Sequence, residues 1–230
     1  MTIPRQTILF LALVLILSSP NHAKDLFALD SICKGIDNAG NCAEAIEKKQ
    51  LPKYKDAITR TDSNTIKIKA TEGKTIVLKN FSDPDGDNWY YFRDFIPEIN
   101  QFLFRVQLGE GNYYLLVNKR DGNQTKIDDL PVISPGCDEF ITCSEDLDAN
   151  YNPNRMQIWK LYNGQSILTQ TLDMAPSDAK WVNSNTIKFT EHIWQGEEKE
   201  GKKLPRVLDR IDDKWRIRGG KAGAKGNVKK

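Results

Sequence analysis

The run Met156 to Leu172, MQIWKLYNGQSILTQTL, consists of a strand-like stretch, an Asn163-Gly164 turn and a second strand-like stretch. Asn-Gly between two such stretches is a strong hairpin signal, because both residue types accept the positive φ that a tight two-residue turn demands. The pattern recurs three times. Asn64 to Asn80 (NTIKIKATEGKTIVLKN) turns at Glu72-Gly73, Asn112 to Asp128 (NYYLLVNKRDGNQTKID) at Arg120-Asp121-Gly122, and Leu204 to Gly220 (LPRVLDRIDDKWRIRGG) at a polar pair. The four starts lie roughly 45 residues apart, a spacing that fits one β-sheet unit per repeat.

The stretches between these hairpins are also β-patterned. Ile66 and Ile68 alternate on one face of Thr65 to Lys69, and Phe102, Phe104, Val106 and Leu108 alternate in the same way. Tyr113 to Val117 returns through Gly109-Glu110-Gly111. Pro131 to Ser134 pairs with Glu139 to Cys143, and Ala179 to Val182 pairs with Thr186 to Thr190 about Asn183-Ser184-Asn185. The exception is Asn41 to Leu51, which reads as a short helix with Ala43, Ile46, Gln50 and Leu51 inward and Pro52 as its stop.

Phe95-Ile-Pro97, Val132-Ile-Ser-Pro135 and Met174-Ala-Pro176 each lead into the next unit. With them the chain resembles a β-propeller of the WD-repeat or TolB type, best over Leu130 to Cys143 (LPVISPGCDEFITC) followed by Met156 to Leu161 (MQIWKL). Such blades often carry Ser-Pro-Asp-Gly before an inner strand; here Ser134-Pro135 is kept and Gly136-Cys137-Asp138 follows. The pattern also resembles a family of small exported bacterial proteins of unknown function, through Pro97-Glu-Ile-Asn100, Leu130 to Pro135, Tyr151-Asn-Pro-Asn154 and Pro176-Ser-Asp178. That resemblance implies a shared fold and export and transfers no catalytic residue. The expected fold is mostly β, a propeller-like array of three to four antiparallel sheets with a short N-terminal helix. A twisted β-sandwich is the alternative, and ring closure, which protects sheet edges, favours the propeller.

The chain is expected to divide into a signal peptide (1–23), an N-terminal helical and disulfide segment (24–63), a β-repeat domain (64–218) and a basic flexible tail (219–230). Arg5, the apolar run Ile8 to Leu17 and Ala23 fit a cleaved secretory signal; the run is too short for an ordinary membrane span, and no other stretch is apolar enough for one. A periplasmic or secreted location follows, without a transmembrane anchor. The net charge of +2 falls to +1 once Arg5 is removed, so nothing in the charge balance attracts nucleic acid. Four cysteines in an exported chain imply two disulfides. Cys33 and Cys42 bracket a flexible Gly/Asn loop and can close. For Cys137 and Cys143 an extended intervening segment would separate the Cα atoms by about 20 Å, whereas a bridge needs less than about 7 Å. Either that segment bends or the partners are crossed with the first pair.

Several clusters could carry chemistry. Asp83, Asp85, Asp87 and Asp94 (DPDGDNWYYFRD) sit at positions 1, 3, 5 and 12 of a calcium-type loop, although Asp-Pro-Asp-Gly-Asp is also plain turn chemistry. Glu145 to Asn154 (EDLDANYNPN) spaces Asp146, Asp148 and Asn152 along a long connection suited to contacting a ligand. Of the adjacent pairs Tyr90-Tyr91 and Tyr113-Tyr114, one ring of each must point outward from an extended strand, and Tyr90 and Tyr113 are the contact candidates. His192 is the one histidine after the signal, and any Ser-His or Cys-His nucleophile would have to use it. No Gly-x-Ser-x-Gly elbow accompanies it, and it reads as an ordinary surface residue. The expected function is therefore non-catalytic binding of a protein or envelope ligand through loops of the repeat scaffold, an inhibitor or immunity partner being one concrete form. The alternative is an envelope hydrolase using paired carboxylates, with structural Ca²⁺ as its only candidate cofactor.

Overall fold

A computed structural model describes residues 26–83, 86–195 and 201–218, with the backbone alone at Asp83. The expected signal peptide and basic tail, and Asp85, lie outside these residues. The chain forms four antiparallel sheets, each a meander of strands consecutive in sequence. The first holds β1 (Ile58–Asp62), β2 (Thr65–Lys69) and β3 (Thr75–Lys79). The second holds β4 (Phe81–Asp83), β5 (Gly86–Ile96), β6 (Gln101–Gln107), β7 (Asn112–Asn118) and β8 (Gln124–Ile127). The third holds β9 (Val132–Ile133), β10 (Glu139–Ser144), β11 (Arg155–Tyr162) and β12 (Gln165–Asp173). The fourth holds β13 (Ala175–Asn183), β14 (Thr186–Ile193), β15 (Lys202–Ile211) and β16 (Lys214–Ile217). The four hairpins read from the sequence are β2–β3, β7–β8, β11–β12 and β15–β16, the last two strands of each meander. Their tight turns use positive φ where the sequence permits it: Asn163 (50°) with Gly164 (79°), and Asp212 (49°) with Asp213 (58°).

Side-chain alternation dictates how the sheets stack. The outer sheets are apolar on one face only: Ile66, Ile68, Ile76 and Leu78 are buried while the residues between them are exposed. The inner sheets are apolar on both. Phe92, Phe102, Phe104, Val106, Leu115 and Val117 of the second sheet face the first, while Leu103, Tyr114, Leu116 and Ile127 face Phe140 and Trp159 of the third. The other face of the third sheet, with Ile141, Met156 and Ile158, meets Ile187, Phe189, Leu208 and Trp215 of the fourth. Each fully buried Phe contributes about 1.5–3 kcal/mol. The three clusters join consecutive sheets, and among the described residues none joins the fourth sheet to the first. The arrangement is compatible with sandwich-like packing, and closure into a propeller ring is not shown. Gly122 (φ 72°) marks where the β7–β8 turn meets the first sheet: a Cβ there would run into the Ile76 side chain.

At the N-terminal end, helix α1 (Ala39–Gln50) buries Ala43, Ile46, Glu47 and Gln50, and the Asn38 side chain caps it by accepting from Asn41 N–H. Cys33 and Cys42 are disulfide-bonded, with Cα atoms 5.0 Å apart. The second expected disulfide is corrected: Cys137 and Cys143 are free thiols. Cys137 stands in the turn before β10 with φ 56°, and Cys143 lies near the end of that extended strand, out of bridging reach.

Candidate functional site

The cleft of interest forms where the third sheet hands over to the fourth. β10 ends at Ser144, and residues 145–154 loop out before β11. Asp146 organises that loop. Its carboxylate accepts from the backbone N–H groups of Ala149, Asn150, Tyr151 and Asn152, at 2.8 to 3.2 Å. These donors, Asn152 N–H foremost, hold its carboxyl below the usual carboxylate range. Asn152 Oδ1 in turn accepts from Asn112 N–H at 3.0 Å, tying the loop to the start of β7. Two of the expected ligand contacts, Asp146 and Asn152, therefore spend their oxygens on building the loop. Asp148 is exposed beside them.

The fold of the loop puts Glu145 against β14. In the β13–β14 ladder Ala175 lies opposite His192 and Ser177 opposite Thr190, so all four share one face of the sheet, with Ser177 and His192 diagonal to each other. Beyond Ser177 the strand bulges: Asp178 (φ 53°) and Ala179 stand against the single residue Phe189. Ser177 Oγ lies 3.2 Å from His192 Nε2, and His192 Nδ1 bonds Glu145 Oε1. An ionised carboxylate only accepts, so Nδ1 carries the imidazole proton in the neutral ring. Nε2 is then left with its lone pair toward the Ser177 hydroxyl, which donates to it. Asp178 Oδ2 offers the same hydroxyl a longer contact of 3.5 Å, at the limit of a hydrogen bond. His192, read from the sequence as an ordinary surface residue, is thus half-buried between two side-chain partners, its side chain 18% exposed and that of Glu145 26%.

This chain of side chains forms the wall between two hollows. One, of about 390 Å³, has Phe27, Leu130, Val132 and Pro176 as apolar lining, with Ser177 and Lys180 on its rim. The other, of about 370 Å³, is lined by Asp146, Asp148, His192, Trp194 and Lys203. Glu145 borders both. Phe27 and Trp194 are exposed aromatic rings, one in each hollow. Two further groups reach the first hollow. Burial pushes the Asp129 carboxyl up to about 6, and burial pushes the Cys143 thiol well above its usual range. A protonated thiol is a poor nucleophile, which leaves the Ser177 hydroxyl as the activated candidate there.

The remaining expected site residues are placed elsewhere. Asp83 ends β4, and Asp87 and Asp94 ride the one extended strand β5, about 23 Å apart at some 3.3 Å per residue. Asp94 is buried and accepts from the Tyr54 hydroxyl at 2.9 Å and from Phe95 N–H at 2.8 Å. They do not converge on a common ion, and among the described residues no group of three or more Asp, Glu, His or Cys is arranged to hold a metal. Tyr90 and Tyr113 meet each other, half-buried against the core between the first and second sheets. Burial, reinforced by Tyr90, pushes the Tyr113 hydroxyl up to about 12, and Lys126 Nζ covers the Tyr113 ring at 4.1 Å. Neither ring lines the cleft.

Ser177, His192 and Glu145 are 15 and 47 residues apart along the chain. One signal for the first contact was present: a hairpin turning at Asn183-Ser184-Asn185 brings positions 177 and 192 to neighbouring rungs. No sequence signal pointed to Glu145. The chain matches no protein-family model, no curated protein and no solved structure.

Proposed function

We propose that this chain is an exported binding protein whose propeller-like stack of sheets presents one recognition cleft, formed by the 145–154 loop and strands β13 and β14, to a protein ligand. The carrying observation is the pair of hollows on either side of Glu145, each with one exposed aromatic ring and a lysine on its lining. Aromatic anchors beside charged groups are the usual makings of a polypeptide-binding surface. The Cys33–Cys42 disulfide supports an oxidising location, and no described helix is long and apolar enough to cross a membrane. An inhibitor or immunity partner of a secreted enzyme is the concrete form that fits such a rigid scaffold.

Selection from a displayed random-peptide library tests the reading. Peptides enriched on the wild-type chain should lose at least about tenfold in affinity on Trp194→Ala or Phe27→Ala, the loss of one aromatic anchor. Peptides that bind both variants unchanged would move the recognition surface elsewhere. Binding of soluble cell-wall muropeptides at the same two residues would make the ligand an envelope component rather than a protein.

A further inference from the structure

We propose that Ser177, His192 and Glu145 make the cleft a hydrolytic site for small carboxylic esters, with Ser177 as nucleophile, His192 as general base and Glu145 as the positioning residue. The assignment rests on geometry. A hydroxyl, an imidazole and a carboxylate are joined in the order that nucleophilic catalysis requires, each within hydrogen-bond contact of the next. The nucleophile opens onto a hollow of about 390 Å³ with Phe27, Leu130, Val132 and Pro176 to hold an apolar acyl chain. Lys180, on the same hollow, is the cation available to a developing oxyanion. The inference goes beyond binding, but it rests on the same cleft admitting a ligand.

The chemistry closes without any group from outside except water. Ser177 Oγ attacks the ester carbonyl carbon while its proton passes to His192 Nε2, and the carbonyl π electrons move onto oxygen. Collapse of that adduct reforms the carbonyl and breaks the bond to the alkoxy oxygen, which takes the proton from Nε2 and leaves as the alcohol. Water then attacks the acyl-serine, giving one proton to Nε2. Collapse of the second adduct releases the acid and returns that proton to Ser177 Oγ. Glu145 accepts the Nδ1 proton's hydrogen bond throughout, which keeps Nε2 facing Ser177 and favours the imidazolium formed in both steps.

Two readouts on the full mature chain test the assignment. A fluorophosphonate probe reports the nucleophile without needing the natural ligand, and p-nitrophenyl butyrate reports turnover. The expected result is a single labelled peptide bearing the probe on Ser177, absent in Ser177→Ala and reduced about a hundredfold or more in rate in His192→Gln, with butyrate turnover falling in parallel. Glu145→Gln should lower kcat at least about tenfold with KM unchanged; a carboxylate that merely braced the loop would raise KM or lower the melting temperature instead. Thermal unfolding within a few degrees of wild type shows that the variants are folded. Labelling at another serine, labelling undiminished in a folded His192→Gln chain, or no labelling and no turnover above Ser177→Ala would each overturn the hydrolytic reading. That last result together with intact, Trp194-dependent peptide binding would leave the cleft a recognition site alone; loss of peptide binding with labelling retained would do the reverse.

Discussion

Two glutamates, one at each end of the sheet stack, sit in networks that look alike on paper and differ in kind. Glu47 on α1 accepts from Arg60 Nε and, at 2.8 Å, from Arg60 Nη2, and takes a third bond from Phe92 N–H at 2.7 Å. It is 4% exposed, and Arg60 is further fixed by the carbonyls of Tyr90 and Ser63. Every strong acceptor there is spent on protein. Glu145 also holds a nitrogenous ring in place, yet its network ends at a hydroxyl on the wall of a hollow. Burial with full satisfaction marks a network that holds the fold together. Partial exposure with an unspent end marks one that can act on something else. Asp128–Arg155 and Glu139–Arg210 are likewise buried carboxylates, each paired with an arginine of the next sheet, and both differ from the cleft in that burial.

The comparison breaks most readily at Glu47. Glu47→Ala leaves the Arg60 guanidinium without its carboxylate and the Phe92 N–H without its acceptor in a largely buried site, and should cost about 3–5 kcal/mol of unfolding free energy in urea. A loss under about 1 kcal/mol would mean that the N-terminal network is no more structural than the C-terminal one. Next, Cys33→Ser with Cys42→Ser should cost about 2–3 kcal/mol, because the bridge closes a short loop in the unfolded chain; the expected change is a lower urea midpoint with turnover in the cleft preserved.

Asp129 gives a pH signature of the C-terminal end. Burial raises its folded-state carboxyl from an ordinary value near 3.8 to about 6, so between pH 4 and 6 the folded chain holds more protons than the unfolded one. Its contribution to stability is therefore greatest below pH 4, falls as pH rises to 6 and is flat above. Asp129→Asn removes that slope, and the variant should gain on wild type by on the order of 2 kcal/mol between pH 4 and 7 in paired urea titrations. The smallest effect belongs to Glu145→Gln, which should shift stability by less than about 1 kcal/mol, since its partner keeps contact with water. Calorimetry that found Glu145→Gln as damaging as Glu47→Ala would erase the distinction between the two ends.

Much of the fold was legible because turn chemistry and alternation are local. Asn163-Gly164, Asp121-Gly122 and Glu72-Gly73 announce their hairpins, and Ile66 and Ile68 announce the inward face of β2. β5 was not legible. Asp87 near its start and Asp94 near its end fall at the spacing of a metal loop, and pairing with β4 (Asp87 opposite Ser82) and then with β6 (Trp89 opposite Gln107 to Ile96 opposite Gln101) makes the segment a strand. The cleft was legible in part: the 145–154 loop stood out by length and composition. The use of its residues did not, because what an oxygen contacts depends on the loop's closed shape, and Asp146 spends its own on the turn. The Ser177–His192 contact depends on ladder register just before a bulge, and the Glu145 contact on how two sheets dock. The Asn183-Ser184-Asn185 turn gives the first only to within a rung, and no residue near the three gives the second.

The two-faced inner sheets carry a consequence for how the chain is made. Because every sheet pairs only sequence neighbours, each can zip as soon as its own strands have been synthesised, with short loops to close. Yet the third sheet, once formed, presents Ile141, Met156 and Ile158 to water until β13–β16 arrive to cover them. A nascent or truncated chain ending near Asp173 would be well ordered and sticky at once, an invitation to aggregate that β13–β16 withdraw.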